Sequence, residues 1–183
     1  MSAPLISRRS LLRSAAVLAG GLAAPALARG VPPLRQIAGT AFGTDWRVSL
    51  GDGPTEEALR GFVDPLLAEV DRQMSPWRAD SAVTAFNLAP AGTHGVPAEL
   101  SRVAAAALRI ADESQGHFDP TIGPLVARFG FGPMTGFSED EAGRWRDAHA
   151  APGEISKADA VLTLDLCGLA KGRAVDLVAV ALA

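Results

Sequence analysis

Cysteine is nearly absent from the sequence: Cys167 is the only one among 183 residues. A single thiol excludes an internal disulfide and any metal site built from several cysteines. It does not identify the compartment, because an exported domain of this size does not need a disulfide. Since apolar residues flank Cys167, we interpret it as a small buried hydrophobe rather than as a nucleophile.

Tyrosine is absent, tryptophan occurs three times, and 17 basic residues face 20 acidic ones for a formal net charge of -3. Nucleic-acid-binding surfaces need clustered Lys and Arg, often with aromatic rings on which bases stack. The composition therefore argues against a nucleic-acid partner. A hydrophobic content of 48% is typical of a globular chain.

The apolar run at residues 15–24 is too short to span a bilayer securely. It follows a twin-arginine pair at residues 8–9 and precedes Ala-Leu-Ala at residues 26–28, which suits a signal-peptidase site. Residues 1–28 are therefore predicted to be a Tat signal peptide, which would place the mature chain, residues 29–183, in the periplasm without a transmembrane span. The alternative is an uncleaved membrane anchor.

The pattern of apolar residues predicts a mixed chain. Turn residues punctuate residues 37–50, which are predicted to form a strand pair or a single bent strand. Apolar residues at three- and four-residue spacing predict helices from residue 54 or 55 to about 70 and at 98–114. Three further elements are predicted: a helix opening at Ser138, a short buried strand at residues 160–164 and a helix at residues 171–182. The uneven strand spacing favours an α+β fold, with helices packed on one side of the strands, over a doubly wound sheet.

Two aromatic residues stand in turns that suit ligand binding. Phe42 lies between two glycines at residues 39–44, where the backbone can approach a ligand closely, although a plain hairpin turn explains the same residues. Trp77 follows a predicted helix in a turn set by Pro76, so its face could stack on an aromatic ring. The alternative for Trp77 is a position at the edge of the core.

A polar segment downstream opens a short helix. Asp80 or Ser81 is expected to N-cap this helix, which ends near Asn87.

A third stretch, at residues 116–124, contains two prolines and two glycines that restrict its backbone. Asp119 in this rigid loop either contacts a polar ligand or caps the next turn, with Pro120 at the first helical position. The residues alone favour neither reading. His117 is interpreted as a packing or hydrogen-bonding group rather than as a catalyst.

A fourth stretch runs from a predicted strand ending at Asp165, through a turn containing Gly168, to a helix with Lys171 near its start. Strand, glycine turn and helix N-terminus together are typical of an anion-binding site. The glycine spacing excludes a Walker loop. The alternative is an exposed lysine on an ordinary helix.

The order of the four stretches resembles the ApbE family of periplasmic FAD:protein FMN transferases, from about Gly39 to Leu182. The resemblance implies FAD contacts for these positions: Phe42, Trp77, His117, Phe118, Asp119, Asp165 and Lys171. At Gly168 it implies a backbone carbonyl that binds Mg²⁺, a cation that prefers oxygen ligands. Two positions depart from the family: Phe42 replaces a usual Met, and His117 replaces a more frequent Ala.

The resemblance also implies the reaction. FMN passes from FAD to a threonine hydroxyl of a membrane-associated flavoprotein subunit, AMP leaves, and Mg²⁺ neutralises the pyrophosphate charge. No catalytic residue is assigned.

Family members are nearly twice as long, and their second half carries the side-chain Mg²⁺ ligands. We therefore expect this chain to be the N-terminal part of the transferase domain and to transfer FMN poorly alone. The alternatives are a periplasmic FAD-binding protein, an FAD pyrophosphatase in which water attacks, and an exported domain without flavin.

Overall fold

Two small antiparallel sheets and five α-helices form the part of the chain that this computed structural model describes, residues 34–51, 53–137 and 142–183. The α+β class is confirmed. The predicted signal peptide lies outside the described residues, as does the start of the helix predicted at Ser138.

The first sheet is the predicted strand pair, a hairpin of β1 (Arg35–Ala41) and β2 (Thr44–Leu50). Phe42 and Gly43 form its two-residue turn with φ angles of 54° and 67°, as a type I′ turn requires. Gly39 pairs with Trp46 across the hairpin, and a β-carbon at Gly39 would lie 2.7 Å from the indole. Only glycine therefore leaves room for this ring.

The second sheet was not predicted. It has the strand order β3 (Gly92–Gly95), β5 (Glu154–Lys157), β4 (Ala148–Ala151), and both pairs are antiparallel. β3 and β4 consist of Gly, Thr, His and Ala, with few of the branched and aromatic residues that mark strands in a sequence.

The helices are α1 (Glu56–Met74), α2 (Ala82–Leu88), α3 (Ala98–Glu113), α4 (Gly123–Arg128) and α5 (Cys167–Leu182), with a 3₁₀ turn at Trp145–Asp147. α1 starts after its cap Thr55 and runs through Pro65. Ser81 N-caps α2, accepting from the Thr84 N–H at 3.2 Å, so the predicted cap is confirmed.

Two predictions near the end of the chain are wrong. α5 starts at Cys167, one turn before Lys171, so the predicted glycine turn is helical. Residues 160–164 form a turn and an extended segment instead of a strand. The backbone of this segment is bound by the side chains of Asn87 and Lys157 rather than by a neighbouring strand.

The hydrophobic core lies between the helices and the two sheets. α1 packs against β1, α2 and α5, and α3 packs against β4 and α5. Leu162, Leu164 and Leu166 alternate along the extended segment and are fully buried, which anchors the chain just before α5. Within the described residues, no helix is long and apolar enough to cross a bilayer.

Candidate functional site

A cleft of about 220 Å³ brings together four of the predicted site residues: Phe42, Trp77, Asp165 and Lys171. They come from the β1–β2 turn, the segment after α1, the segment before α5 and α5 itself. A larger open depression of about 690 Å³ on α3 and β4 contains none of the predicted residues. The smaller cleft is therefore the candidate site.

Aromatic side chains form one part of the cleft. Trp77 is 65% exposed, so it is not a core residue, and it stands in a turn in which the Arg78 N–H donates to the Ser75 carbonyl at 3.3 Å. Phe42 is both a hairpin-turn residue and a wall of the cleft. The hairpin-turn interpretation of Phe42 is therefore confirmed, and its contact with a ligand stays a prediction. Such surfaces suit a planar aromatic ligand.

Asp165 is held by its neighbours at the start of α5. Its backbone N–H donates to the Pro120 carbonyl at 2.7 Å, and its Oδ1 accepts from the Cys167 N–H at 2.9 Å. A carboxylate at this end of a helix is favoured by the helix dipole. A β-carbon at Gly123 would lie 3.2 Å from the Asp165 β-carbon, so α4 also begins close to this residue.

Lys171 and Cys167 lie one helical turn apart and both line the cleft. Burial, followed by the negative charge of Asp165, raises the pKa of the Cys167 thiol to about 12. The thiol is therefore protonated at neutral pH, which agrees with its interpretation as a hydrophobe rather than a nucleophile. Lys171 is exposed and supplies the cleft with a positive charge.

Two polar residues that the sequence did not single out as site residues support the segment carrying Asp165. Asn87 is 3% exposed. Its Nδ2 donates to the Leu164 carbonyl at 3.0 Å, and its Oδ1 accepts from the Leu164 N–H at 2.8 Å.

Lys157 is 2% exposed. Its Nζ donates to the carbonyls of Asn87, Ala160 and Leu162 at 2.9, 2.9 and 3.0 Å, and it lies 5.1 Å from the centre of the Phe86 ring. Burial lowers the pKa of the Lys157 ammonium, and the nearby Asp159 opposes this shift. The amine links α2 to the extended segment.

The loop with Asp119 does not line the cleft. Asp119 Oδ1 accepts from the Thr121 N–H and Oγ1 at 2.8 and 2.6 Å, and Oδ2 accepts from the Gly143 N–H at 2.6 Å. The carboxylate thus caps a turn, one of the two alternatives that the residues left open. Pro120 lies within that turn and not at the first helical position, because α4 starts at Gly123. His117 is exposed, and it does not line the cleft.

Phe118 packs against the first turn of α5: a β-carbon at Gly168 would lie 3.1 Å from its ring. Gly168 is the second residue of α5, so its carbonyl belongs to the helical hydrogen-bond ladder and keeps one lone pair for another donor or a cation.

The described residues do not make a Mg²⁺ site. Magnesium takes about six oxygen ligands in near-octahedral geometry, and no group of three or more His, Cys, Asp or Glu side chains in the described ranges could hold a metal ion. One carbonyl at Gly168 does not fit the ion by itself.

Comparison with known proteins identifies similar chains. The family model described as the ApbE family matches residues 42–183. A Klebsiella pneumoniae (strain 342) protein named FAD:protein FMN transferase is 38% identical over 130 residues, which cover 69% of this chain and 37% of that protein.

Two solved structures of ApbE flavin transferases are also similar to this chain. The apo form of the Pseudomonas stutzeri flavinyl transferase ApbE superposes with a TM-score of 0.70 at 32% identity, covering 82% of this chain and 55% of that one. The flavin transferase ApbE from Vibrio cholerae gives a TM-score of 0.73 at 29% identity, covering 82% of this chain and 54% of that one. The chain thus spans about half or less of the length of the proteins it matches.

Proposed function

Because the chain belongs to the ApbE family, we propose that it is part of an FAD:protein FMN transferase. The observation that supports this best is the cleft, in which the rings of Phe42 and Trp77 lie with the charged side chains of Asp165 and Lys171. FAD has the matching chemistry, since it joins a planar aromatic ring to an anionic pyrophosphate.

In the proposed reaction, the hydroxyl oxygen of an acceptor threonine attacks the phosphorus of the FMN half of FAD. The bond from that phosphorus to the bridging pyrophosphate oxygen breaks, AMP leaves with the bonding electrons, and the threonine proton passes to solvent. Positioning and charge stabilisation supply most of the catalysis in such transfers. No residue is assigned as a base.

The four predicted site residues of the cleft each have a role in this proposal. Phe42 and Trp77 bind the flavin ring, and the Lys171 ammonium attracts the phosphates. Asp165 Oδ1 is engaged by the Cys167 N–H, so Oδ2 is the oxygen proposed to accept a hydrogen bond from an N–H or hydroxyl of FAD.

The loop residues His117, Phe118 and Asp119 do not line the cleft, so their proposed role is indirect. Phe118 packs on Gly168, and Asp119 organises its own loop. Both would act by shaping the FAD-binding segment, with His117 at its exposed surface.

Magnesium dependence is proposed only for the whole protein. Gly168 would contribute a carbonyl, and the other ligands would have to come from outside the described residues. Bound Mg²⁺ would neutralise pyrophosphate charge.

The test uses the complete protein with FAD, Mg²⁺ and a peptide acceptor containing one threonine. An acceptor that gains the mass of FMN, while its Thr-to-Ala version does not, supports the proposal. Free FMN and AMP without acceptor would identify a pyrophosphatase, and FAD binding without any product would identify a flavin-binding protein. No change in flavin fluorescence at micromolar FAD would favour an exported domain without flavin.

A matched pair of variants connects this activity to the cleft. Lys171→Met removes the cleft cation and should lower transfer strongly. Arg102→Met removes a cation on α3 that is paired with Glu99 and lies outside the cleft, so transfer should be unchanged.

The periplasmic location and the membrane-associated acceptor subunit are proposals as well. Replacing both arginines at residues 8–9 by lysine should abolish Tat export, which fractionation of cells would measure. Periplasmic accumulation of this variant would contradict the assignment.

A further inference from the structure

A third aromatic residue, Phe131, lines the cleft together with Phe42 and Trp77. Its side chain is 71% exposed, and none of the sequence patterns singled it out. Since Trp77 in the same cleft is also 65% exposed, the two rings together indicate an apolar surface that a ligand can cover.

Phe129 provides a natural comparison. It is 70% exposed, nearly the same as Phe131, and it belongs to the same short segment after α4. It does not line the cleft. Exposure alone therefore does not distinguish the two rings, whereas their position does.

The backbone of Phe131 is fixed by the way α4 ends. Gly130 has a φ of 83° and donates to the Ala127 carbonyl at 2.9 Å, while the Phe131 N–H donates to the Val126 carbonyl at 3.1 Å. This pair of bonds is the Schellman motif, in which the residue after the glycine often contacts a side chain of the last helical turn. Val126 occupies that position of the last turn, and its side chain and Phe131 both line the cleft.

We propose that Phe131 is a further ring-binding residue of the cleft and contacts the isoalloxazine of the bound flavin. This inference rests on the proposed function. The ligand class is a planar aromatic ring system, since an aromatic wall adds a stacking contact for a flat ring beyond its apolar area. Because Phe131 shares the cleft with Phe42 and Trp77, which are proposed to bind the flavin ring, it should act on every flavin and not on the adenylate half of FAD.

The test measures dissociation constants of riboflavin and AMP for the complete protein, with riboflavin followed by its fluorescence. Phe131→Leu should weaken riboflavin binding roughly 3- to 10-fold, the size of one aromatic stacking contact, and leave AMP unchanged. Phe129→Leu should stay within about twofold of wild type. Phe131→Trp retains an aromatic ring at this position and should therefore bind riboflavin about as tightly as wild type does.

The possible outcomes distinguish a failure of the role proposed for Phe131 from a failure of the proposed transferase function. If wild type binds riboflavin and Phe131→Leu binds it as tightly as Phe129→Leu does, the role of Phe131 is wrong while the proposed function stands. Equal weakening of riboflavin and AMP by Phe131→Leu would contradict a contact confined to the isoalloxazine, because adenine is also a planar aromatic ring. If wild type binds no flavin, both proposals fail together.

Discussion

Asn87 binds both polar groups of Leu164, accepting from its N–H at 2.8 Å and donating to its carbonyl at 3.0 Å. The Asn87 side chain thus makes the two backbone hydrogen bonds that a neighbouring strand would otherwise make with Leu164. The next residue along the chain is Asp165, so this bracket determines where the carboxylate of the cleft stands.

Replacing Asn87 should destabilise the protein. Asn87→Ala leaves the buried N–H and carbonyl of Leu164 unpaired, at about 1–3 kcal/mol for each group. Asn87→Asp keeps the acceptor but buries a carboxylate oxygen against the Leu164 carbonyl, so at neutral pH its loss should be at least as large as that of Asn87→Ala. Urea unfolding measures both, with the exposed substitution Gln36→Ala as the control. Equal stability of Asn87→Ala and the control would show that the bracket contributes nothing.

Lys157 gives a pH-dependent prediction. Burial lowers the pKa of its ammonium below 10.5, so between the folded and unfolded pKa values the unfolded chain binds more protons. Stability contributed by this residue therefore rises with pH across that window. The advantage of wild type over Lys157→Met should widen as the pH approaches 10.5.

Urea unfolding of the two proteins at several pH values checks this, because groups common to both cancel in the difference. Tyrosine, which would titrate nearby, is absent from the chain. An advantage that shrinks toward pH 10.5 would mean that the three carbonyl acceptors hold the proton more strongly than burial expels it.

Two glycines of α5 should respond differently to alanine. A β-carbon at Gly172 meets open space, so Gly172→Ala should stabilise the protein by about 0.5–1 kcal/mol through helix propensity. At Gly168 it would lie 3.1 Å from the Phe118 ring, so Gly168→Ala should gain less, or lose stability, as the ring shifts. Thermal unfolding compares them. An identical gain would remove the packing role of Phe118.

Cys167 should resist alkylation in the folded protein. With a pKa raised to about 12, its thiolate fraction at a pH of about 8.5 is on the order of a hundredfold or more below that of a free thiol. Iodoacetamide labelling followed by mass spectrometry should be slow in buffer and rapid in urea, and absent in Cys167→Ser. Comparable rates in buffer and urea would contradict a half-buried, protonated thiol.

Local signals were sufficient for part of this fold. The hairpin turn at Phe42 and Gly43, the cap Ser81 and the stripe of α3 all depend on residues close in sequence, and each was predicted. The second sheet depends on pairing between segments far apart, and β3 has little apolar content of its own. Its existence is set by tertiary packing, which short-range patterns do not carry.

The residues of the candidate site also differ in how far the sequence predicts them. Phe42, Trp77, Asp165 and Lys171 could be placed in one site because of the family resemblance, and the structure brings their side chains into one cleft. Whether they contact FAD stays a prediction. Lys157 could not be found, because lysine is almost always exposed and a single buried one leaves no pattern. The start of α5 was placed too late because glycine has low helix propensity, which packing overrode.

The cleft draws its walls from four separate stretches of the chain, at residue 42 and within residues 74–77, 126–133 and 165–171, so no continuous peptide carries the whole cleft. A ligand that fills the cleft therefore binds the native state and has nothing comparable to bind in the unfolded one. Occupancy and folding are thermodynamically linked: free ligand at a hundred times its dissociation constant would add about 2.7 kcal/mol to the unfolding free energy. The ligand-free protein is consequently the form that proteases would remove first.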